Sequence, residues 1–294
     1  NECIKMLEAE SLLKIFIIGG ASIYEHFFNY ATHLHITFIN ISSKDLDAFF
    51  PIDLNTIKNS FNKKELHIGV SGDISEKSIK KYIEKVFGKF SSENVKPSFE
   101  KFTDLPRGQK VIELDTPQSS VVFGHPGLSR SDKDYFSLRL ANYILGGGGF
   151  QSRLYKQIRE KKGLVYSIYS YPISYKHDGF MMGGFQTRNK SVFDTIDRVK
   201  DEWSKISKQG ITKKELDEAK AYYKGSFTRN FTSTISIANL LNIVQFYDLG
   251  KDYFSERDKI IENLKLEDIN NMIKKKFNKD NLFFLIVGSP EKQK

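Results

Sequence analysis

The chain has 294 residues, 39% of them hydrophobic and 13% aromatic, which is enough for a sizeable core and excludes a disordered polymer. Its net charge of +9 comes from lysines spread through amphipathic stretches such as 75–89 and 266–277. They form no continuous basic stripe interleaved with aromatics, so nucleic acid is not an expected partner, whereas attraction of acidic peptides fits the balance. No apolar run approaches the length of a bilayer span, so no membrane span is expected. The single cysteine, Cys3, excludes an internal disulfide and a cysteine-based zinc site. The first ten residues show no secretory pattern, and the chain opens on Asn1 rather than Met, so a processed product and a piece of a longer chain both stay open. A cytoplasmic setting is expected, with the periplasm as the alternative.

In chain order, Lys14–Ile18 reads as a short strand ending at Gly19 and Gly20. Ser22 can cap a helix through Ile23, Phe27 and Phe28, and Leu34, Ile36 and Phe38 alternate as a half-buried strand does. The wording Ile-Phe-Ile-Ile-Gly-Gly-Ala-Ser-Ile-Tyr, then Tyr-Ala-Thr-His-Leu-His-Ile-Thr, then Ala-Phe-Phe-Pro resembles the C-terminal portion of dihydrofolate reductase. That resemblance makes Gly19 and Gly20 the vestige of a turn that approaches the NADPH pyrophosphate. The family's earlier part, which supplies the acidic residue of the pterin pocket, has no counterpart. Residues 1–55 are therefore expected to be a fusion relic without reductase activity.

Leu66–Ser71 reads as a strand, and Glu76–Phe87 as a helix with Ile79, Ile83 and Val86 on one face. Pro97, Pro106 and Gly108 mark a linker over 91–108. A complete α+β unit follows over 109–294. Strands are expected at Val111–Leu114, Ser119–Gly124, Leu164–Tyr171, Phe180–Phe185 and Leu282–Val287. Ser131 or Asp132 can cap a helix carrying Tyr135, Leu138, Leu140 and Ile144, and a short basic helix is expected over 150–160. Later helices fall at 191–208, from Thr212 to about Thr232 with Thr212 and Glu215 forming a capping box, and at 234–249, 253–263 and 266–277. The sum is a mixed sheet of five or six strands with helices packed on one side. Ser119–Val122 with Gln118, and Leu164–Tyr171, are both candidates for an open edge able to take up an extended peptide.

Residues 146–166 read Gly-Gly-Gly-Gly-Phe-Gln-Ser-Arg-Leu-Tyr-Lys-Gln-Ile-Arg-Glu-Lys-Lys-Gly-Leu-Val-Tyr. The glycines Gly146–Gly149 follow a helix and lack a terminal Lys-Ser or Lys-Thr, so they are not a phosphate loop; a tight corner or a close backbone approach suits them. By spacing alone, Arg159 and Tyr166 are a basic helix end and a strand aromatic. The whole stretch is similar to the zinc-free half of the pitrilysin/insulinase zinc peptidases. That resemblance implies a pitrilysin/LuxS-like α+β metallopeptidase domain over 109–294 and a remnant of the first peptidase domain over 56–90, where His67-Ile-Gly-Val-Ser-Gly-Asp-Ile is similar to that domain's last strand–turn–helix. It also implies that Arg159 and Tyr166 face substrate at a zinc held by the other half.

Clan members bind zinc through a helical His-x-x-Glu-His motif, two histidines on one side with a glutamate that activates water. None of His26, His33, His35, His67, His125 and His177 has that spacing, so no metal and no cofactor is expected in this chain. Zinc is expected in a partner chain. Serine and cysteine nucleophiles have no support either: no Gly-x-Ser-x-Gly elbow occurs and Cys3 stands alone. The expected function is that of a truncated non-zinc half, inactive alone, which binds unfolded peptide and assists hydrolysis in a heterodimer. The alternatives are a catalytically inactive scaffold or assembly subunit, as in clan relatives of respiratory complexes, or a fusion remnant.

Overall fold

The computed structural model describes residues 63, 66–88, 90 and 105–291. These fall into two units: one holds helix α1, Glu76–Phe87, and the other holds His67–Asp73 with everything from residue 105 onward. The reductase-like segment, with Gly19 and Gly20, lies outside the described residues. In α1, Ser75 caps the helix by accepting from the Ser78 N–H at 3.3 Å. Ile79 and Ile83 are half-buried and Val86 is exposed.

The larger unit is built on a five-stranded mixed sheet of β1 (Gly108–Glu113), β2 (Gln118–Pro126), β3 (Val165–Ser174), β4 (Gly179–Arg188) and β5 (Phe283–Gly288). Its order is β1-β5-β2-β4-β3. β1 and β5 run parallel, and every other pair is antiparallel. The last strand in sequence is thus interior, and the edges are β1 and β3. Leu164–Tyr171 is the edge of the two candidates; Gln118–Val122 pairs on both sides, with β4 and β5.

Strand alternation sorts side chains to two faces. Val121, Phe123 and His125 of β2, Met181 and Phe185 of β4, and Phe284 and Ile286 of β5 are buried. They pack under α2 (Tyr135–Asn142), α3 (Val192–Gln209), α4 (Lys213–Phe227) and α7 (Leu266–Lys276), whose buried residues include Leu138, Val199, Trp203, Leu216 and Ile273. The helices α5 (Thr234–Phe246) and α6 (Tyr253–Asn263) complete the layer. Phe123 sits at the centre, its ring 5.5 Å from that of Trp203 and 5.6 Å from that of Phe284. It lies so close to β4 that a Cβ on Gly183 would fall 2.3 Å from it, so only glycine fits there. On the opposite face, Ile112, Val122, Tyr169 and Tyr171 are exposed, and no helix among the described residues covers them.

The structure corrects the expected elements in three places. Residues 67–71 form no strand: the Gln245 side chain donates to the Ile68 carbonyl at 2.9 Å, and the Gly69 backbone lies against Ala238 of α5. A strand needs a ladder partner, and this segment meets a helix instead. The α2 cap is Asp134, not Ser131 or Asp132; the Asp132 carboxylate accepts from the Asp134 N–H at 2.8 Å and shapes the turn before it. The helix expected over 150–160 divides into a 3-10 turn, Gly149–Gln151, and a π-helical stretch, Tyr155–Glu160. Ser152 separates them, its hydroxyl donating to the Gly149 carbonyl at 2.8 Å and ending the first turn.

Candidate functional site

The glycine run is a close-approach corner. A Cβ on Gly146 would fall 2.2 Å from the Ser170 hydroxyl and 2.7 Å from Leu154, so a helix end can press onto β3 only here. Asn142 and Ser170 lock the contact: the Ser170 hydroxyl donates to Asn142 Oδ1 at 2.7 Å, and Asn142 Nδ2 donates to the Ser170 carbonyl at 3.0 Å. Both residues are buried and their side chains satisfy each other.

Arg153 fixes the next segment. Its Nε and Nη2 donate to the two carboxylate oxygens of Glu215, each at 2.8 Å, and Nη2 also donates to the Gly210 carbonyl at 3.0 Å. Glu215 closes the capping box at the start of α4, accepting from the Thr212 N–H at 2.8 Å while the Thr212 hydroxyl accepts from the Glu215 N–H at 3.2 Å. The Arg153 guanidinium and the Thr212 donors hold the Glu215 carboxyl below the usual carboxylate range, against a burial effect, the largest contribution, that raises it. Thr212 and Glu215 are legible as a cap; Arg153 as their third member is not, because it comes from 62 positions away.

From this anchor the π-helical stretch carries Arg159 to its last turn. The guanidinium stacks 5.1 Å from the centre of the Tyr155 ring, which Phe150 meets edge-on at 4.9 Å. Among the described residues no carboxylate or carbonyl accepts from the Arg159 side chain. Its backbone carbonyl accepts from the Gly163 N–H at 3.0 Å, and Gly163, at φ +60, turns the chain into β3. There the Thr187 hydroxyl donates to the Leu164 carbonyl at 2.6 Å.

β3 begins with an irregular register. Val165 pairs with Thr187 and Ile168 with Phe185, so Tyr166 and Ser167 together stand opposite the single residue Gln186. A bulge of this kind re-aims side chains. Tyr166 is 86% exposed at the start of a strand whose other edge is unpaired among the described residues. The loop between the π-helical stretch and β3 adds Lys161 and Lys162, both exposed. A half-buried Arg159 and an exposed Tyr166 are thus delivered by one short turn. Such a pair offers a planar fork of donors and a rigid hydroxyl, groups suited to a peptide carbonyl or an oxyanion.

Among the described residues, no three His, Cys, Asp or Glu side chains converge as a metal site would require. His26, His33 and His35 lie outside them. His125 is buried against Trp203 and Phe277, with ring centres at 6.0 and 5.7 Å. Its Nδ1–H donates to the Pro126 carbonyl at 2.8 Å, and its Nε2 has no partner among the described residues. Burial pushes its pKa down to about 4 against the small raising effect of that hydrogen bond, so the ring is neutral at physiological pH. No helix among the described residues is long and apolar enough to cross a membrane.

A dihydrofolate reductase family model matches residues 1–71. The chain is 30% identical over 225 residues to the uncharacterized zinc protease YmxG of Bacillus subtilis, spanning 76% of this chain and 54% of that protein. It is 32% identical over 200 residues to the non-peptidase homolog YmxG of Helicobacter pylori, spanning 67% of this chain and 45% of the relative. It therefore spans about half the length of these curated relatives. Among solved structures, a peptidase M16 inactive domain from Pseudomonas fluorescens superposes with a TM-score of 0.68 at 30% identity, covering 76% of this chain and 53% of that one. A protease from Helicobacter pylori at 18% identity shares the fold, with a TM-score of 0.62 over 74% of this chain and 53% of that one. The model of the peptidase M16 inactive domain matches residues 54–223, more than half the chain and the whole of the corner that carries Arg159 and Tyr166, and the chain belongs to that family.

Proposed function

We propose that this chain is the non-zinc half of a two-part peptidase. In this reading Arg159 and Tyr166 hold the scissile carbonyl, and its developing oxyanion, at a zinc supplied by a partner chain. The observation that carries the reading is the delivery by one turn of an 86% exposed tyrosine and a guanidinium that no carboxylate or carbonyl among the described residues engages, at the head of a strand whose outer edge is unpaired among those residues. An extended peptide added to β3 would gain main-chain hydrogen bonds, with its side chains alternating to either side. The apolar face bearing Val122, Tyr169 and Tyr171, which no helix among the described residues covers, would line the enclosure. Lys161 and Lys162 favour acidic residues near the cleavage point.

Zinc, in the partner, would polarise the carbonyl and generate the attacking hydroxide. This chain's own residues would orient the peptide and donate to the oxygen on which charge develops. Removing one such donor typically costs about 10²–10³ in turnover. The test is to mix this chain with a chain carrying His-x-x-Glu-His and follow cleavage of a quenched peptide. Activity that appears on mixing and falls about a hundredfold with Arg159→Ala supports the reading. Full activity of that variant in a confirmed complex refutes it.

A second reading, a scaffold subunit without peptidase chemistry, draws on the Helicobacter pylori relative, which is named a non-peptidase homolog. A complex that forms and stays inert toward peptides would select it. Residues 1–55 we read as a C-terminal piece of dihydrofolate reductase joined ahead of a first-domain remnant over 56–90 and a linker over 91–108. NADPH oxidation with dihydrofolate is expected to stay at background.

A further inference from the structure

The helix layer contains a second arrangement of arginines and tyrosines that the reading above does not use. A cavity of about 210 Å³ opens between α2, α4 and α6, with Arg139 and Arg257 in its wall beside Tyr135, Tyr223, Phe227 and Tyr253. Arg257 is 5% exposed. A third guanidinium, that of Arg130, lies 3.9 Å over the Tyr135 ring and donates to the Tyr253 hydroxyl at 3.1 Å. Arg130 and Arg139 therefore meet around Tyr135, while the Arg257 guanidinium lies 4.1 Å over the Phe227 ring of the same cavity.

Their counter-charge is incomplete. Arg257 Nη1 binds Asp258 at 2.7 Å, but that carboxylate is 45% exposed and turned to the outside, while Nη2 of the same arginine donates to the Tyr223 carbonyl at 3.0 Å. Among the described residues Arg139 has no carboxylate partner: Nη1 donates to the Tyr135 hydroxyl at 3.2 Å, and the aromatic faces of Tyr135 and Tyr223 flank the group at 5.7 and 5.6 Å. Aromatic faces attract a cation but accept none of its in-plane N–H groups. The sealed polar atoms without partners among the described residues are His125 Nε2, Ser174 Oγ and Trp203 Nε1. Arg139 is half-buried and lines the cavity, so the N–H groups that its tyrosine partners leave unused can face it. Clustered guanidiniums with little counter-charge repel one another, and a bound anion would relieve that in a site partly withdrawn from water.

We propose that this cavity binds a small oxyanion, a carboxylate or a phosphate, gripped by the planar forks of Arg139 and Arg257. Two parallel N–H···O bonds to one oxyanion match guanidinium geometry, and the aromatic walls accept a flat or apolar body attached to it. The Ser226 and Asn230 side chains, also in the lining, supply polar contacts at the rim.

The test titrates the full chain with benzoate and separately with inorganic phosphate at constant ionic strength set by chloride, with neutral benzamide as control. Binding is read by calorimetry and by side-chain NMR of the arginine Nε–H groups. Saturable binding of either anion, with shifts at Arg139 and Arg257, is expected; benzoate alone would identify a carboxylate and phosphate alone a phosphate. Arg139→Gln should weaken binding about tenfold or more, and Arg139→Lys, which keeps the charge and loses the fork, by an intermediate factor. Should Arg139→Gln fail to fold, the NMR shifts of the unaltered chain decide. The proposal is overturned if neither anion binds beyond chloride, if benzamide binds as well as benzoate, or if the shifts fall on surface arginines such as Arg198 instead.

Discussion

The two faces of the sheet come from the same strands and obey opposite rules. On the covered face, Phe123, His125 and Phe284 are sealed beneath helices, and even one extra methyl group on Gly183 has no room. On the bare face, Val122 of β2 and Tyr169 and Tyr171 of β3, with β4 between them, are exposed, and Tyr166 leaves β3 at a bulge. Residues 121 and 122 are adjacent in the chain, yet one is 1% exposed and the other 45%. The difference teaches that, among the described residues, the packing that stabilises this sheet lies on one side and the apolar groups of the other side are left uncovered.

The comparison can be broken most directly at Phe123. Phe123→Ala should cost about 3–5 kcal/mol, because the cavity would open among Trp203, Phe185 and Phe284, and urea denaturation would measure it. An acid titration tests the same face by charge. His125, neutral when folded with a pKa of about 4, takes up a proton on unfolding below its ordinary value of 6.5. The unfolded state binds more protons in that window, so stability should fall by roughly 3 kcal/mol as pH drops from 6.5 to 4. His125→Leu should remove that part of the slope, and an unchanged profile would locate the acid sensitivity elsewhere. Arg153→Ala should cost about 2 kcal/mol, since it leaves the capping carboxylate of Glu215 without its two strongest donors; thermal unfolding would show it. Val122→Ser and Tyr166→Phe, on the bare side, should stay within about 0.5 kcal/mol of the parent. A large loss at Val122 would mean that its face is covered after all.

Much of this was legible in the sequence, and the reasons are local. Alternation in β2 and β4, the Thr212–Glu215 box and the stop at Gly210 each depend on a few neighbouring residues, and the elements form where those residues place them. Pairing order is not local: whether Gln118–Val122 or Leu164–Tyr171 is the edge depends on where β5 inserts, 160 residues later in the chain. The places of Arg159 at a helix end and Tyr166 on the strand after it follow from local pattern. The arginines of the cavity were not legible, because Arg139 and Arg257 belong to helices far apart in sequence and carry no shared pattern. Residues 67–71 show the opposite failure, a strand-like sequence that meets a helix.

The interior position of β5 has a consequence for how the protein is made. While residues 283–288 are still inside the ribosome, β2, β4 and β3 can pair, but β1 has only its parallel neighbour to wait for. The sheet is then two pieces with a vacant slot, and the inner edge of β2 is bare. Closure must await the emergence of β5, and in that interval a holdase chaperone would find an exposed strand to guard.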